Sequence, residues 1–157
     1  MRLRLIAIGT RMPQWADAAF TDFARRMRGH WKLDLVELAS ASRRHSGGAA
    51  ALAMSAEAHR ILAVLSGRDF VVTLDERGAQ RSTLELSRWL EERRASGQDL
   101  AFVIGGPDGL AEEVLTRGQM RWSLSKLTLP HALVRVLVAE QLYRAATVLA
   151  GHPYHRE

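Results

Sequence analysis

WSLSKLTLPHALVRVLVAEQLYRAATVLAGHPYHRE, residues 122–157, is the stretch on which the rest of the chain is organised. It begins with a β-branched and leucine run at 124–129 that reads as a short buried strand or an extended loop. Pro130 stands where a helix begins and a missing N–H costs nothing. The spacing predicts one helix over 131–149, ended by Gly151, with Pro153 as a stop beyond it. On a helical wheel Glu140, Arg144 and Thr147 share one narrow stripe, and nearly everything else is apolar. Such a helix has to be covered on almost all sides. A sheet covers one side, so the other is expected to meet a second subunit. Past the helix, His152, Tyr154, His155 and Arg156 gather in the tail, the first place where chemistry can reside.

At 157 residues the chain fits one domain and is long enough to bury a core. Hydrophobic residues make up 47% and charged residues 25%, an ordinary balance for a globular protein. No apolar run approaches a membrane span, and MRLRLIAI at the start is too short and too alternating for a signal peptide. Without cysteine there is no disulfide, thiolate nucleophile or thiolate metal site, which fits a cytoplasmic protein. The formal charge of +5 and a pI near 10.6 point to an anionic partner. Lys32 and Lys126 are the only lysines among the 22 basic residues, and arginine suits phosphate forks and base stacking. A GC-rich genome explains that ratio equally well, but not the net charge.

Outward from the C-terminal stretch, apolar runs alternate with helical periods. RLRLIAI (2–8), WKLDLVEL (31–38), DFVVTLDERG (69–78) and DLAFVIGGPDG (99–109) read as strands, the third ending in a charged turn and the fourth in a glycine-rich one. Helices are expected at 14–28, 50–65, 82–95 and 111–117. The first carries Trp15, Ala18, Ala19, Phe23 and Met27 at helical spacing, and the second offers Leu52, Ile61, Leu62 and Leu65 for packing. The third opens on Ser82 and Glu85, a capping box. The strands are too apolar to have a wet face. The pattern therefore predicts an α/β fold in a single domain, 1–157, with a parallel-dominated sheet and helices on both faces. In such sheets ligands bind outside the carboxyl ends of the strands, here 73–75, 104–106 and 124–129. The loop SASRRHSGG (40–48) is small and basic, and its Arg43, Arg44 and His45 either touch a phosphate backbone or are solvated.

IGGPDG has neither the G-x-G-x-x-G spacing nor the Gly-Lys-Ser/Thr of a P-loop, so it is either a ligand loop or a tight turn. The histidines make no metal site: His131, His152 and His155 are the nearest grouping, without an H-x-x-x-H or HExxH pair. No serine nucleophile elbow occurs. His155 gains interest from its company, Tyr154 and Arg156 after a long helix. Arg135 falls on the apolar face shared by Ala139, Leu142, Ala146 and Leu149. It either pairs with a carboxylate across an interface or reaches a ligand, and pairing is the general habit of buried arginines.

GTRMPQW (9–15), VTLDERG (72–78), FVIGGPDGL (102–110), and above all SLSKLTLPHALVRVLVAEQLYRA (123–145) with HPYHRE (152–157), resemble the bacterial RlmH family. Its members are ribosomal RNA large-subunit methyltransferases of the SPOUT, or α/β-knot, superfamily that act on N3 of a pseudouridine. The likeness runs over essentially the whole chain and is weakest at 39–65, so basic residues there inherit no role. It implies a C-terminal trefoil knot, against the rule of unknotted connections. It also implies a homodimer, with S-adenosylmethionine held by Leu74, Gly105, and the run Leu124, Ser125, Lys126, Leu127, Thr128 and Leu129. The tail is expected to complete the active site at the dimer interface, which makes Arg144, Tyr154 and His155 the catalytic candidates. The implied partner is large-subunit ribosomal RNA within the ribosome, with no metal and no membrane.

The chemistry behind that resemblance is coherent. A sulfonium methyl donor meets an imide nitrogen that has lost its proton, and both charges vanish in the transition state. An apolar cleft lined by Leu74, Ile104, Leu124, Leu127 and Leu129 favours such annihilation. A histidine near neutrality accepts the proton, an arginine stabilises the anion, and alignment of the reacting atoms contributes most. One small domain has no separate RNA-binding module, so a folded ribosomal surface read by shape is the expected substrate. The alternatives are a non-enzymatic ribosome-associated factor and a transfer-RNA methyltransferase of the same fold.

Overall fold

Alternation in the first strand sets the two faces of the sheet. In the computed structural model, β1 (Arg2–Ile8) sends Leu3, Leu5 and Ala7 into one core cluster and Ile6 and Ile8 into another. The structure describes residues 1–27, 29, 31–43 and 48–156, with the side chains of His155 and Arg156 excepted. β1 lies between β2 (Lys32–Leu38) and β4 (Leu100–Ile104), while β3 (Phe70–Ala79) joins β4 to β5 (Met120–Trp122). The order is β2-β1-β4-β3-β5, and every pairing is parallel. β4 is buried along its full length, with Leu100 and Phe102 facing one cluster and Ala101 and Val103 the other.

Helices cover both faces, as the apolar strands require. α1 (Gln14–Arg26), α3 (Thr83–Ala95) and α5 (His131–Leu149) supply the first cluster, where Phe20, Leu86, Trp89, Val138 and Leu142 pack on the sheet. α2 (Ala49–Val64) and α4 (Glu112–Arg117) supply the second through Ala58, Ile61 and Val114. The capping box at the start of α3 is complete: Glu85 N–H donates to Ser82 Oγ at 3.2 Å, and Ser82 N–H to Glu85 Oε2 at 2.7 Å. Leu52, expected to pack, is instead 74% exposed, because α2 turns Ala53, Glu57, Ala58 and Ile61 inward.

Two expectations resolve at the sheet's edge. Of the two readings of 124–129, a short strand or an extended loop, the chain adopts the loop, and the strand lies upstream at β5. There the backbone finds local partners instead of a ladder: Ser123 Oγ donates to Ser125 O at 2.9 Å, and Leu127 N–H donates to Ser125 Oγ at 3.0 Å. The charged turn expected to end the third strand is a bulge within β3. Leu74 and Ala79 both stand opposite Trp122, so 75–78 bows out of the strand. Gly78 permits this, since a Cβ there would lie 2.7 Å from the Arg121 backbone.

α5 receives from α1 and α3 part of the cover that its sequence reserves for a second subunit. Leu133, Val136 and Leu137 remain half-buried at three- and four-residue spacing. Gly151, at φ +66, closes the helix: its N–H donates to Val148 O and that of His152 to Thr147 O, a Schellman ending.

Candidate functional site

The carboxyl ends of β4, β3 and β5 open into a cleft of about 580 Å³. Ile104, the last residue of β4, and Leu74, just before the β3 bulge, stand at its wall, and the bulge adds Asp75, Glu76 and Arg77. The loop beyond β5 adds Leu124, Ser125, Leu127, Thr128 and Leu129. Thr128 Oγ1 donates to Glu76 Oε2 at 3.1 Å and so ties this loop to the bulge. Of the eight residues expected to hold a cofactor, seven line this cleft. Lys126 is exposed in the same loop and takes no part in the wall.

The floor is the glycine turn after β4. Gly106 and Gly109 form an antiparallel bridge, with Gly109 N–H donating to Gly106 O at 3.0 Å. Neither glycine before the proline has room for a side chain. A Cβ on Gly105 would lie 2.5 Å from Gly109 O, and one on Gly106 would lie 2.6 Å from Glu57 Oε2. Arg43 clamps the outside of the turn, its guanidinium spanning Glu57 at 2.9 Å and Asp108 at 2.7 Å. The sequence offered Arg43 to a phosphate backbone or to solvent, and in the folded chain two carboxylates hold it. Its partner Glu57 is 2% exposed, and an unpaired carboxylate there would be costly. Arg44 and His45 lie outside the described residues.

On the inner side the turn meets α5. His131 Nδ1 is 3.1 Å from Gly105 O, and its Nε2 is 2.9 Å from Arg135 Nε. Arg135 is 2% exposed and donates to Glu37 Oε1 at 2.6 Å and to Gly9 O at 2.6 Å. It is therefore paired, as expected, but within its own chain. Replacing Arg135 by alanine leaves Glu37, the Gly9 carbonyl and His131 without their donor and is expected to cost about 3–5 kcal/mol. Urea unfolding with an unchanged midpoint would show that the network adds nothing to stability. Burial first, and Arg135 second, hold the His131 pKa below the ordinary histidine value. The unfolded chain therefore binds that proton more readily, and stability falls as pH drops below that ordinary value.

The tail residues stand apart from the cleft. The Tyr154 ring packs on Tyr143 with centroids 4.7 Å apart, and the Arg144 guanidinium lies 4.7 Å above it. Tyr154 OH donates to Glu140 Oε1 at 3.2 Å, and Arg144 Nε donates to the same oxygen at 2.7 Å. Burial and the Glu140 charge raise the phenol pKa, so Tyr154 stays a neutral donor. The side chain of His155 lies outside the described residues. Along α5, Arg144 sits thirteen residues beyond His131, about 20 Å at the helical rise. The structure thus brings Arg144 and Tyr154 together, but not to the cleft of their own chain. His131 and His152, grouped in the sequence, stand at opposite ends of the same helix.

Sequence reasoning missed His131, Trp122 and Asp108 as cleft residues. Pro130 before His131 was the available signal, since it fixes the residue after it in the first turn of a helix beginning at the strand ends.

Comparison with known proteins follows the same lines. The family model described as "Predicted SPOUT methyltransferase" matches residues 1–155. A "Ribosomal RNA large subunit methyltransferase H" of Thiobacillus denitrificans is 49% identical over 157 residues, covering 100% of both chains. The protein of that name from Hahella chejuensis is 46% identical over the same span, again covering 100% of both. Among solved structures, a probable methylase family protein of Haemophilus influenzae superposes with a TM-score of 0.55 at 19% identity, over 97% of this chain and 69% of that one. At that identity the likeness is one of fold.

Proposed function

The chain belongs to the SPOUT methyltransferase family, and from that premise we propose that it transfers the methyl group of S-adenosylmethionine to N3 of a pseudouridine in large-subunit ribosomal RNA. The RNA class comes from the names of relatives matched over their full length. The pseudouridine and its N3 come from the motif resemblance. The observation that carries the reading is the cleft itself, built from three parallel strand ends around a glycine turn with no room for a Cβ.

The residues present fit the methyl donor. The volume falls in the range of about 300–1,000 Å³ usual for small-molecule sites. Leucine side chains and exposed turn backbone offer a surface for an adenine, and Asp75 and Glu76 offer carboxylates to a cation. We assign Leu74, Gly105, Leu124, Ser125, Leu127, Thr128 and Leu129 to holding it, with Lys126 at the entrance of the loop. When bound, S-adenosylmethionine supplies an electrophilic methyl on a sulfonium.

The chain's own contribution is to orient, to exclude water and to manage one proton. The leucines keep water from a reaction that annihilates charge. The second half of the site is the tail of a partner protomer. Two things support this homodimer: the half-buried stripe of Leu133, Val136 and Leu137, and the helix length that separates Arg144 and Tyr154 from their own cleft. In that arrangement His155 accepts the N3 proton, Arg144 stabilises the resulting anion, and Tyr154 donates a hydrogen bond. Among the described residues no helix is long and apolar enough to cross a membrane, and we place the enzyme in the cytoplasm with its ribosomal substrate.

Tritiated methyl transfer tests the proposal directly. Label should enter large-subunit RNA when assembled ribosomes are offered, and far less when free RNA or transfer RNA is. Label confined to transfer RNA would replace this reading with that of another enzyme of the same fold. Sedimentation equilibrium should give a dimer at micromolar protein, and a stable monomer would remove the shared site.

A further inference from the structure

His131 takes no part in the assignments above, yet it joins the cleft to the core. Its Nδ1 lies 3.1 Å from Gly105 O and its Nε2 lies 2.9 Å from Arg135 Nε. A guanidinium only donates and a carbonyl only accepts. One tautomer satisfies both, a neutral imidazole with its proton on Nδ1. Arg135 is itself fixed by Glu37 and Gly9 O, so its N–H stays aimed at the ring. The Gly105 carbonyl held in this way sets the rotation of the Gly105–Gly106 peptide. In a trans peptide, that also fixes where the Gly106 N–H points.

We infer that His131 is a positioning residue that has to stay neutral: it fixes the glycine turn for a cationic methyl donor, and a second proton would undo both. That proton can go only on Nε2, where it faces the Arg135 N–H and breaks the bond. It also places a positive charge on the wall of a cleft that receives a sulfonium. This inference rests on the methyl-donor reading of the cleft.

The charges around the ring are few. Arg135 faces it from α5 and Glu37 from β2, while Asp75, Glu76 and Arg77 of the β3 bulge line the same cleft. In the glycine turn, Asp108 is paired with Arg43. A glutamine at 131 leaves all of these in place. Its amide can donate to Gly105 O and accept from Arg135, but it does not titrate.

The test compares S-adenosylmethionine with S-adenosylhomocysteine, which lacks the charge on sulfur, by calorimetry at pH 7 and at a lower pH where nitrogen-15 NMR shows the His131 ring protonated on both nitrogens. In the native protein, acidification should weaken the charged ligand more than the neutral one, on the order of tenfold for a unit charge some 8–10 Å away in a partly buried site. His131→Gln should hold the ratio of the two affinities constant between those pH values. A constant ratio in the native protein, or a glutamine variant that follows the native pH profile, overturns the inference. Nitrogen-15 NMR of the native ring at pH 7 should show the proton on Nδ1, and a ring protonated on Nε2 overturns it as well. Failure to bind either ligand at pH 7 would instead sink the methyl-donor reading, while the NMR result would still decide the state of the ring.

Discussion

Gly105→Ala should abolish useful S-adenosylmethionine binding. A Cβ at this position would lie 2.5 Å from Gly109 O, 2.6 Å from Gly109 C and 3.0 Å from Leu110 Cδ2. The first two atoms are backbone of the same turn, held by the Gly106–Gly109 bridge, so they cannot step aside cheaply. A valine, with the bulk to fill the ligand's space, is not needed, because one methyl already collides with the turn that forms the floor. Overpacking of this kind costs about 1–3 kcal/mol or more, and as a distortion of the binding conformation that approaches a 10²-fold loss of affinity. The proposed dimer should be unaffected, since α5 lies outside the collision. Gly67→Ala is the matched control, with nothing within 4 Å of the added Cβ and no positive φ. Calorimetry showing native affinity in Gly105→Ala would move the methyl donor out of this cleft.

The cleft was legible in the sequence for a reason that belongs to the fold. Once apolar strands alternate with helices, the sheet is parallel and its carboxyl ends collect ligands. Leu74, Gly105 and Leu124 fall at those ends by counting alone. What stayed hidden has no period to reveal it. β5 is three residues long, too short for any alternation to register, so the leucine run after it could be read as strand or loop. Arg43 meets Asp108 across 65 positions, and Arg135 meets Glu37 across 98. Contacts between single polar residues so far apart leave no local pattern. The sequence marked Arg135 as misplaced on an apolar face, which was correct, but only the folded chain shows that Glu37 answers it. His131 was hidden differently. It sits in the most distinctive stretch of the chain, and Pro130 places it at the start of the helix, yet its role shows only when the Gly105 carbonyl is seen beside it.

The tail is less free than its composition suggests. Residues 152–157, past a helix stop and rich in polar groups, look dispensable for folding. Tyr154, however, packs on Tyr143, stacks under Arg144 and donates to Glu140. An aromatic pair of this kind contributes about 0.5–1.5 kcal/mol, so removing residues 154–157 should lower the melting temperature measurably rather than leave it untouched. The loss of methyl transfer should be far larger, because base catalysis and positioning each contribute about 10²-fold or more.

Two inactive variants should restore each other. On the proposed assignment, tail deletion leaves a cleft that lacks its proton acceptor, and Gly105→Ala leaves a tail without a usable cleft. If Arg144, some 20 Å along α5 from His131, and Tyr154 packed against it serve the partner's cleft, a mixed dimer contains one complete site. That site combines the intact cleft of the shortened chain with the intact tail of the alanine chain, and the other site lacks both. Random exchange of equal amounts gives half mixed dimers, so activity should recover to roughly a quarter of the native rate in a symmetric dimer. The recovery should be absent before subunits exchange and should grow as exchange proceeds, which native mass spectrometry can follow on the same samples. Were the tail to serve its own cleft, the two defects would stay on separate sites, and the shortened chain would bring no working tail to any partner. A mixture that exchanges fully and remains inactive would therefore place the tail's action within its own protomer, and a shortened chain that methylates ribosomes at the native rate would remove the tail from catalysis altogether.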